Sequence, residues 1–569
     1  MRIGRILRGS LILAVVMGLA ACASLPTTGD VRPGLAAGPS DSGSDVAYLP
    51  QGPSDGMTPE QVVRGFIDAA SSPKDSWGIA REFLTSTAAQ KWRPDTGVTI
   101  DTSLSERRYQ APEIAKQATT TTVRLSLRQT ASVDENGAYA TQAASGSADL
   151  DYALTKSPDG QWRISTAPDG IVLDAQSFAD GDVFASYALQ YYDPTWTYLV
   201  PDVRWFPKRE NTASRIVQSL VSGKPSAWLT GGVRTAFTGD IALARNTVTP
   251  ESQVAEVALT DAATNADVTT VSRMRTQLER SLAGVGVSQV KLTAGGRDLT
   301  ANAAAAASTT VDPRPLVRSD KGFGFLSNGE LVPIPGVSTE LAGFPKPVSA
   351  IRASSGAQRV AVQTGDGAVY AVTDGKIDEI DGRPGQIAPT LDPFGFIWTA
   401  QAQSAASILR WSPSVESRSV PGPDGVSQIS AMAMSRDGSR LAMAVTVNGQ
   451  NRIEVASVSR DDRGAPAALN GSPTVLAWPS GGVADLTWLD DSTVGALAVD
   501  GARTELLQLV VGGPATAIDV PDGAASLAPS APSTSIRLLT SDGGLFRRSV
   551  ASWQREATGI SVLAVPLGG

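Results

Sequence analysis

The residue types that carry most enzyme chemistry are nearly missing from this chain. Its 569 residues include no histidine and one cysteine, Cys22. Without histidine there is no Ser-His-Asp or Cys-His nucleophile, no HExxH zinc site and no ordinary haem ligation. With one cysteine there is no intrachain disulfide, CxxC redox pair or thiolate cluster. Carboxylate, serine–lysine and tyrosine chemistry, oxygen-ligated metals, and binding without catalysis stay open. Gly52-Pro53-Ser54-Asp55-Gly56 has the GxSxG spacing of a nucleophile elbow. An elbow needs a strand before it, a helix after it and a histidine base; here the surroundings read as a Gly/Ser-rich tether. Ser71-Ser72-Pro73-Lys74 has the SxxK spacing, but Pro73 disrupts the helical turn that would face the lysine toward the serine. The carboxylate pairs Asp180/Asp182, Asp461/Asp462 and Asp490/Asp491 lack the donor spacing of a calcium loop and read as solvated turns. No catalytic residue, metal site or cofactor is therefore expected. Trp205, Trp228, Trp398, Trp411, Trp488 and Trp553 read mainly as core, with Trp205-Phe206 beside Pro207-Lys208 a candidate exposed aromatic patch.

The assignable chemistry sits at Cys22. Arg2, Arg5 and Arg8 precede an uncharged, largely apolar run over residues 9–21 that ends Leu19-Ala20-Ala21. A basic start, a short apolar run and small residues before a cut site describe an export signal. As a helix that run rises only about 20 Å, short of the roughly 30 Å hydrocarbon core of a bilayer. Leu19-Ala20-Ala21-Cys22 resembles the bacterial lipobox. The resemblance implies cleavage after Ala21, and a new amino-terminal Cys22 that carries S-diacylglycerol and N-palmitoyl groups. Each buried CH₂ of such an anchor adds about 0.8 kcal/mol, enough for stable membrane attachment. The net charge of −8 becomes about −11 once the three arginines leave with residues 1–21. An acidic chain repels phosphate, so nucleic acid is not an expected partner.

Stepping outward from Cys22, residues 22–56 read as a lipidated flexible tether rich in Gly, Pro, Ser and Asp. Residues 57–180 form a first domain. Thr58-Pro59-Glu60-Gln61 is a capping box with proline at the first helical position, and Val62, Val63, Phe66 and Ile67 follow on one face. The period then changes to two: Val123, Leu125 and Leu127, then Leu150, Tyr152 and Leu154, then Trp162 and Ile164. This α+β order resembles the nuclear-transport-factor-like cone fold. Residues 181–300 read as a second α+β domain, with strands at 183–192, 197–204, 255–259 and 287–292 and helices around Ile216–Leu220 and Val271–Leu282. The hairpin ending Leu199-Val200-Pro201-Asp202-Val203-Arg204, and the helix closing on Ser222-Gly223-Lys224-Pro225, resemble a GerMN domain. Residues 301–320 read as a connector whose Ala-rich start extends a helix.

Only strand and turn signals follow, over 321–569. Units begin near Leu391, Ile429, Val483 and Ala525, close to the 40–45 residue spacing of a four-stranded propeller blade. Ser435-Arg436-Asp437-Gly438-Ser439-Arg440-Leu441-Ala442 resembles the strand–turn–strand step of WD-repeat and TolB-type propellers, with Ser541-Asp542-Gly543-Gly544 a weaker copy. Five or six blades fit, and strands at 321–335 are expected to share a blade with Ile560–Val565, which removes the free edge.

The expected architecture is thus multidomain: two α+β domains, then an all-β propeller. With the lipobox in front, this order resembles the actinobacterial lipoprotein LpqB family. The resemblance implies a lipid-anchored accessory protein on the extracytoplasmic face of the cell membrane. It implies a partner in the extracellular domain of an MtrB-like sensor histidine kinase, within a two-component system linked to cell-wall homeostasis and division. Cell-wall components are possible further partners. The alternative is an envelope-glycan binder or carboxylate glycosidase built on the propeller; a scaffold for wall synthesis is a third reading. Cys22→Ala is expected to move the protein from the membrane into the soluble fraction or medium, read by fractionation. Membrane retention of the unlipidated variant contradicts the anchor.

Overall fold

The computed structural model describes residues 50–567, apart from 114, 116, 144, 145, 210, 405, 406, 414, 462, 533, 534 and 550. Cys22, the signal peptide and most of the tether lie outside the described residues.

The first domain grows from its capping box. Thr58 Oγ1 accepts from the Gln61 amide, and the Gln61 side chain accepts from the Thr58 amide. This satisfies two of the orphan donors at the start of helix Pro59–Ala70. Val62, Val63, Phe66 and Ile67 of that helix are buried with Val123, Leu125, Tyr152, Leu154 and Ile164, the inward residues of the alternating strands. The central strands run in the order Trp162–Thr166, Ser147–Lys156, Thr120–Val133, Val98–Asp101, Ile171–Asp174. Only the last pair is parallel.

The second domain packs the hairpin Phe184–Tyr192/Leu199–Pro207 and the sheet Val254–Leu259, Gln289–Ala294, Arg297–Asp298 on helices Thr212–Val221 and Val268–Leu282. Residues 299–310 do not extend a helix. They form a strap along Val268–Leu282: the Ala304 amide donates to Ser272 O, the Thr276 hydroxyl to Ala304 O, and Arg275 Nη1 to Ala301 O. Bonds from that helix take the backbone groups that a helix over 299–310 would use internally, overriding alanine's preference.

The propeller begins with Leu316–Ser319, inside the span read as connector and ahead of the expected start at 321. Its described residues form six four-stranded blades. Blades 1 to 5 run over 348–381, 390–421, 426–477, 482–519 and 524–557. Blade 6 takes its inner strand from Ile560–Pro566 and its outer three from Leu316–Ser319, Gly322–Ser327 and Glu330–Val332. The closing strand also pairs in parallel with blade 1, at Arg352↔Val565 and Ala353↔Pro566. The two chain ends of the propeller are therefore stitched together into one ring.

One correction concerns turns. Asp437-Gly438 joins the first two strands of blade 3, whereas Asp542-Gly543 joins the second and third strands of blade 5. The second motif is not a copy of the first; its counterpart is Asp366-Gly367 in blade 1.

The inner strands share a feature that local patterning hides. In blades 1, 3, 4, 5 and 6 the register slips by one residue, at Ser349, Ser430, Ala484, Ala525 and Ser561. Each slip is a β-bulge, which leaves a ladder carbonyl short of its donor. The serine hydroxyls supply it: Ser349 Oγ donates to Gln363 O (3.1 Å), Ser430 Oγ to Ala444 O (3.3 Å) and Ser561 Oγ to Arg318 O (3.0 Å). A second bulge in blade 3 repeats the device, with Ser427 Oγ on Thr446 O at 3.0 Å. Ser349→Ala, Ser430→Ala and Ser561→Ala should each lower stability by about 0.5–1 kcal/mol. Ala484→Ser and Ala525→Ser should raise it by up to about 1 kcal/mol. Urea midpoints read both; five unchanged midpoints contradict the capping role.

Candidate functional site

The short motifs dissolve into ordinary local structure. Residues 52–56 form a loop ahead of the first helix, and the described residues 50 and 51 before them are not in a strand. Ser71 is the C-cap of that helix and donates to Asp68 O. Asp180 accepts from Gln176 Nε2; Asp461 accepts from the Arg463 and Ala465 amides, and Asp490 from the Ser492 amide. These are turn-forming carboxylates. Asp462 lies outside the described residues.

Trp205 and Phe206 are buried, 7% and 3% exposed, and form no surface patch. The reason is tertiary. The Trp205 ring packs 4.4 Å from Phe178 in the core of the first domain. Its Nε1 donates to Gly512 O of propeller blade 4 at 2.8 Å, and its backbone amide donates to Gly137 O of the first domain. Gly137 is needed there: its φ is +78°, and a Cβ would lie 2.7 Å from Trp205 O. One side chain of the second domain thus joins all three domains. The hairpin residues that sequence singles out supply the rest. Arg204 pairs with Asp202 at 2.8 Å, both buried, and reaches Asn136 O of the first domain. Asp202 accepts from the Ser226 amide and hydroxyl. Ser226 precedes the turn Ala227–Leu229, which packs on the outer strand of blade 3. Thr141 Oγ1 to Val475 O (2.7 Å) and Arg215 to Asp95 (2.7 Å) close the remaining seams.

The propeller channel is the place where a propeller glycosidase would gather acids. Among the described residues lining it, Asp485 is the one carboxylate. It pairs with Arg352 at 3.1 Å, from blade 4 to blade 1 across the ring axis, and accepts from the Leu486 and Leu527 amides. Burial pushes the Asp485 carboxyl above its ordinary value, opposed by Arg352 and the two amides. The pair divides the channel. One side opens to a mouth of about 430 Å³, while the other narrows to about 20 Å³.

A larger cleft, about 570 Å³, lies where the second-domain hairpin meets blades 1 and 2. Two buried aspartates build its walls. Asp193 accepts from the Thr197 and Tyr198 amides and so presents Tyr198. Asp392 accepts from the Phe394 and Phe396 amides and so presents Phe394. The rings meet edge-to-face at 6.0 Å and 86°. Arg460, fully buried and paired with Asp392 at 2.8 Å, stacks 4.6 Å behind Phe394. Gly438 and Gly464 pack on the same ring, where a Cβ would approach to 2.8 and 3.3 Å. Arg359 Nη1 is anchored on Gly395 O at 2.8 Å. The sequence reads the Asp193-Pro194 turn and the start of blade 2 near Leu391, but nothing local says that the two turns meet 200 residues apart.

Comparison with known proteins gives the family. The model for the N-terminal domain of lipoprotein LpqB matches residues 52–179, and that for the lipoprotein LpqB beta-propeller domain matches residues 316–567. The lipoprotein LpqB of Bifidobacterium longum is 28% identical, covering 82% of this chain and 81% of its own length. That of Cutibacterium acnes is 25% identical, covering 98% and 99%. Among solved structures, TolB from Acinetobacter baumannii aligns with a TM-score of 0.34 and 14% identity, over 44% of this chain and 66% of that one. No helix among the described residues is long and apolar enough to cross a membrane. With both domain models matched in order and relatives aligned along nearly the whole length, the chain belongs to the lipoprotein LpqB family.

Proposed function

We propose that this chain is a lipid-anchored accessory protein on the extracytoplasmic face of the cell membrane. It binds the extracellular domain of an MtrB-like sensor histidine kinase and shifts that receptor's signalling equilibrium. The observation that carries the reading is the channel. A glycosidase of the common kind needs two carboxyl groups, about 5–9.5 Å apart. Among the described residues, the channel lining offers Asp485 alone, already engaged by Arg352 and two amides. What the molecule presents instead is rigid surface: three domains joined at Trp205, behind a lipidation signal at Cys22. A body of that kind acts by being held against something, and a modulator works only if it binds two receptor states unequally.

The test uses residues 23–569 as a soluble protein and the purified sensor ectodomain, titrated by calorimetry. Saturable binding at or below micromolar concentration is expected. Absence of heat up to about 100 μM, where an interaction worth under about 5.5 kcal/mol would sit, counts against the reading. Release of reducing ends from purified cell wall by the same protein points to the glycosidase instead.

A further inference from the structure

We infer that the cleft between the hairpin and blades 1 and 2 is a saccharide-binding site, and that it recognises a neutral sugar unit with adjacent hydroxyls. This inference is independent of the receptor reading. The volume, about 570 Å³, lies within the range of small-molecule sites, and interdomain seams are where such sites recur.

The lining selects the chemistry. Tyr198 and Phe394 offer ring surface for the C–H faces of a pyranose. Around them stand three planar polar groups: the Arg359 guanidinium, the Asp374 carboxylate and the Gln358 carboxamide. Planar donors and acceptors of this kind bridge neighbouring hydroxyls in pairs. Among the described residues the Tyr198 hydroxyl and the Asp374 carboxylate make no hydrogen bond or ion pair, and Arg359 Nε is buried without a partner. Burial, with Asp193, Asp437 and Asp392 nearby, pushes the Tyr198 phenol above its ordinary value, so it stays protonated as a donor. The mixed charge of the lining disfavours a simple anion or cation. A phosphate that paired with Arg359 would face Asp374, and a cation that paired with Asp374 would face Arg359. A polyol satisfies both at once, through charge-assisted hydrogen bonds.

The site is also pre-organised. Phe394 cannot swing, held by the Asp392 turn bonds, the Arg460 stack and the two glycines. Tyr198 is fixed by Asp193. A rigid aromatic wall avoids the ordering cost that weakens small-ligand binding.

The experiment is saturation-transfer NMR and calorimetry on residues 23–569 with N,N′-diacetylchitobiose, cellobiose, maltose and mannobiose, and with inorganic phosphate and lysine as charged controls. At least one disaccharide should bind with Kd below about 10 mM, and phosphate and lysine should not. Tyr198→Phe removes only the unpartnered hydroxyl and Asp374→Asn only the exposed charge, so both variants should keep the wild-type melting temperature. Each should weaken the sugar by roughly fivefold or more, a loss of about 1 kcal/mol. Glu106→Gln, at an exposed position of the first domain outside the cleft lining, should leave the affinity unchanged. No sugar binding, binding indifferent to both cleft variants, or phosphate binding in place of sugar overturns the assignment.

Discussion

One indole holds this molecule together. Trp205 sits in the second domain, packs into the core of the first and donates its ring N–H to a carbonyl of the propeller. Few side chains can do this, since the contact needs a large apolar face toward one neighbour and a directional donor toward the other. Removing it leaves a cavity at one seam and an orphaned Gly512 carbonyl at the other, a loss of about 3–5 kcal/mol by the usual cost of large-to-small core changes. The buried Asp202–Arg204 pair, just before it on the same strand, strengthens the joint but would be costly to break singly. Ordinary interdomain surfaces are polar and permit motion. This one is sealed by an aromatic, an ion pair and main-chain bonds, so the domains act as one body.

That constraint explains why some of the structure was legible in the sequence and some was not. Features written within a dozen residues read through, the Thr58 capping box and the alternation in 123–127 and 150–154; so did the blade spacing, from repetition, and the shared closing blade, from the need to pair the propeller's two ends. Features written across the fold did not. Trp205-Phe206-Pro207-Lys208 looks like a strand running out into solvent, because the residues that bury it come from 137, 178 and 512. The Ala-rich run after Leu299 has helical propensity, yet its backbone bonds go to a helix thirty residues earlier. Arg352 and Asp485 are 133 residues apart, in blades 1 and 4, and meet only because the blades close a ring. The bulge serines were in view but look like any strand serine until the register is known. The anchor itself, Cys22, rests on its sequence alone.

The division of labour follows. On the proposed reading, the chemistry at Cys22 is done to the protein by lipidation enzymes. Beyond it, buried carboxylates are spent on architecture: Asp202 and Asp485 on joints, Asp193 and Asp392 on turns that aim aromatic rings. A rigid body with an aimed aromatic cleft and a channel barred by the Arg352–Asp485 pair is built to present surfaces at a fixed geometry. A propeller swinging loosely from its neighbours would lose that geometry and pay entropy on every encounter.

Rigidity can be measured directly, because residues 23–569 contain no cysteine. Ser105→Cys in the first domain and Lys376→Cys in blade 1 provide two exposed spin-label sites. Double electron–electron resonance should give one narrow distance distribution in the otherwise unaltered chain, broadened by Trp205→Ala. A broad or multimodal distribution with Trp205 in place contradicts the single-body account.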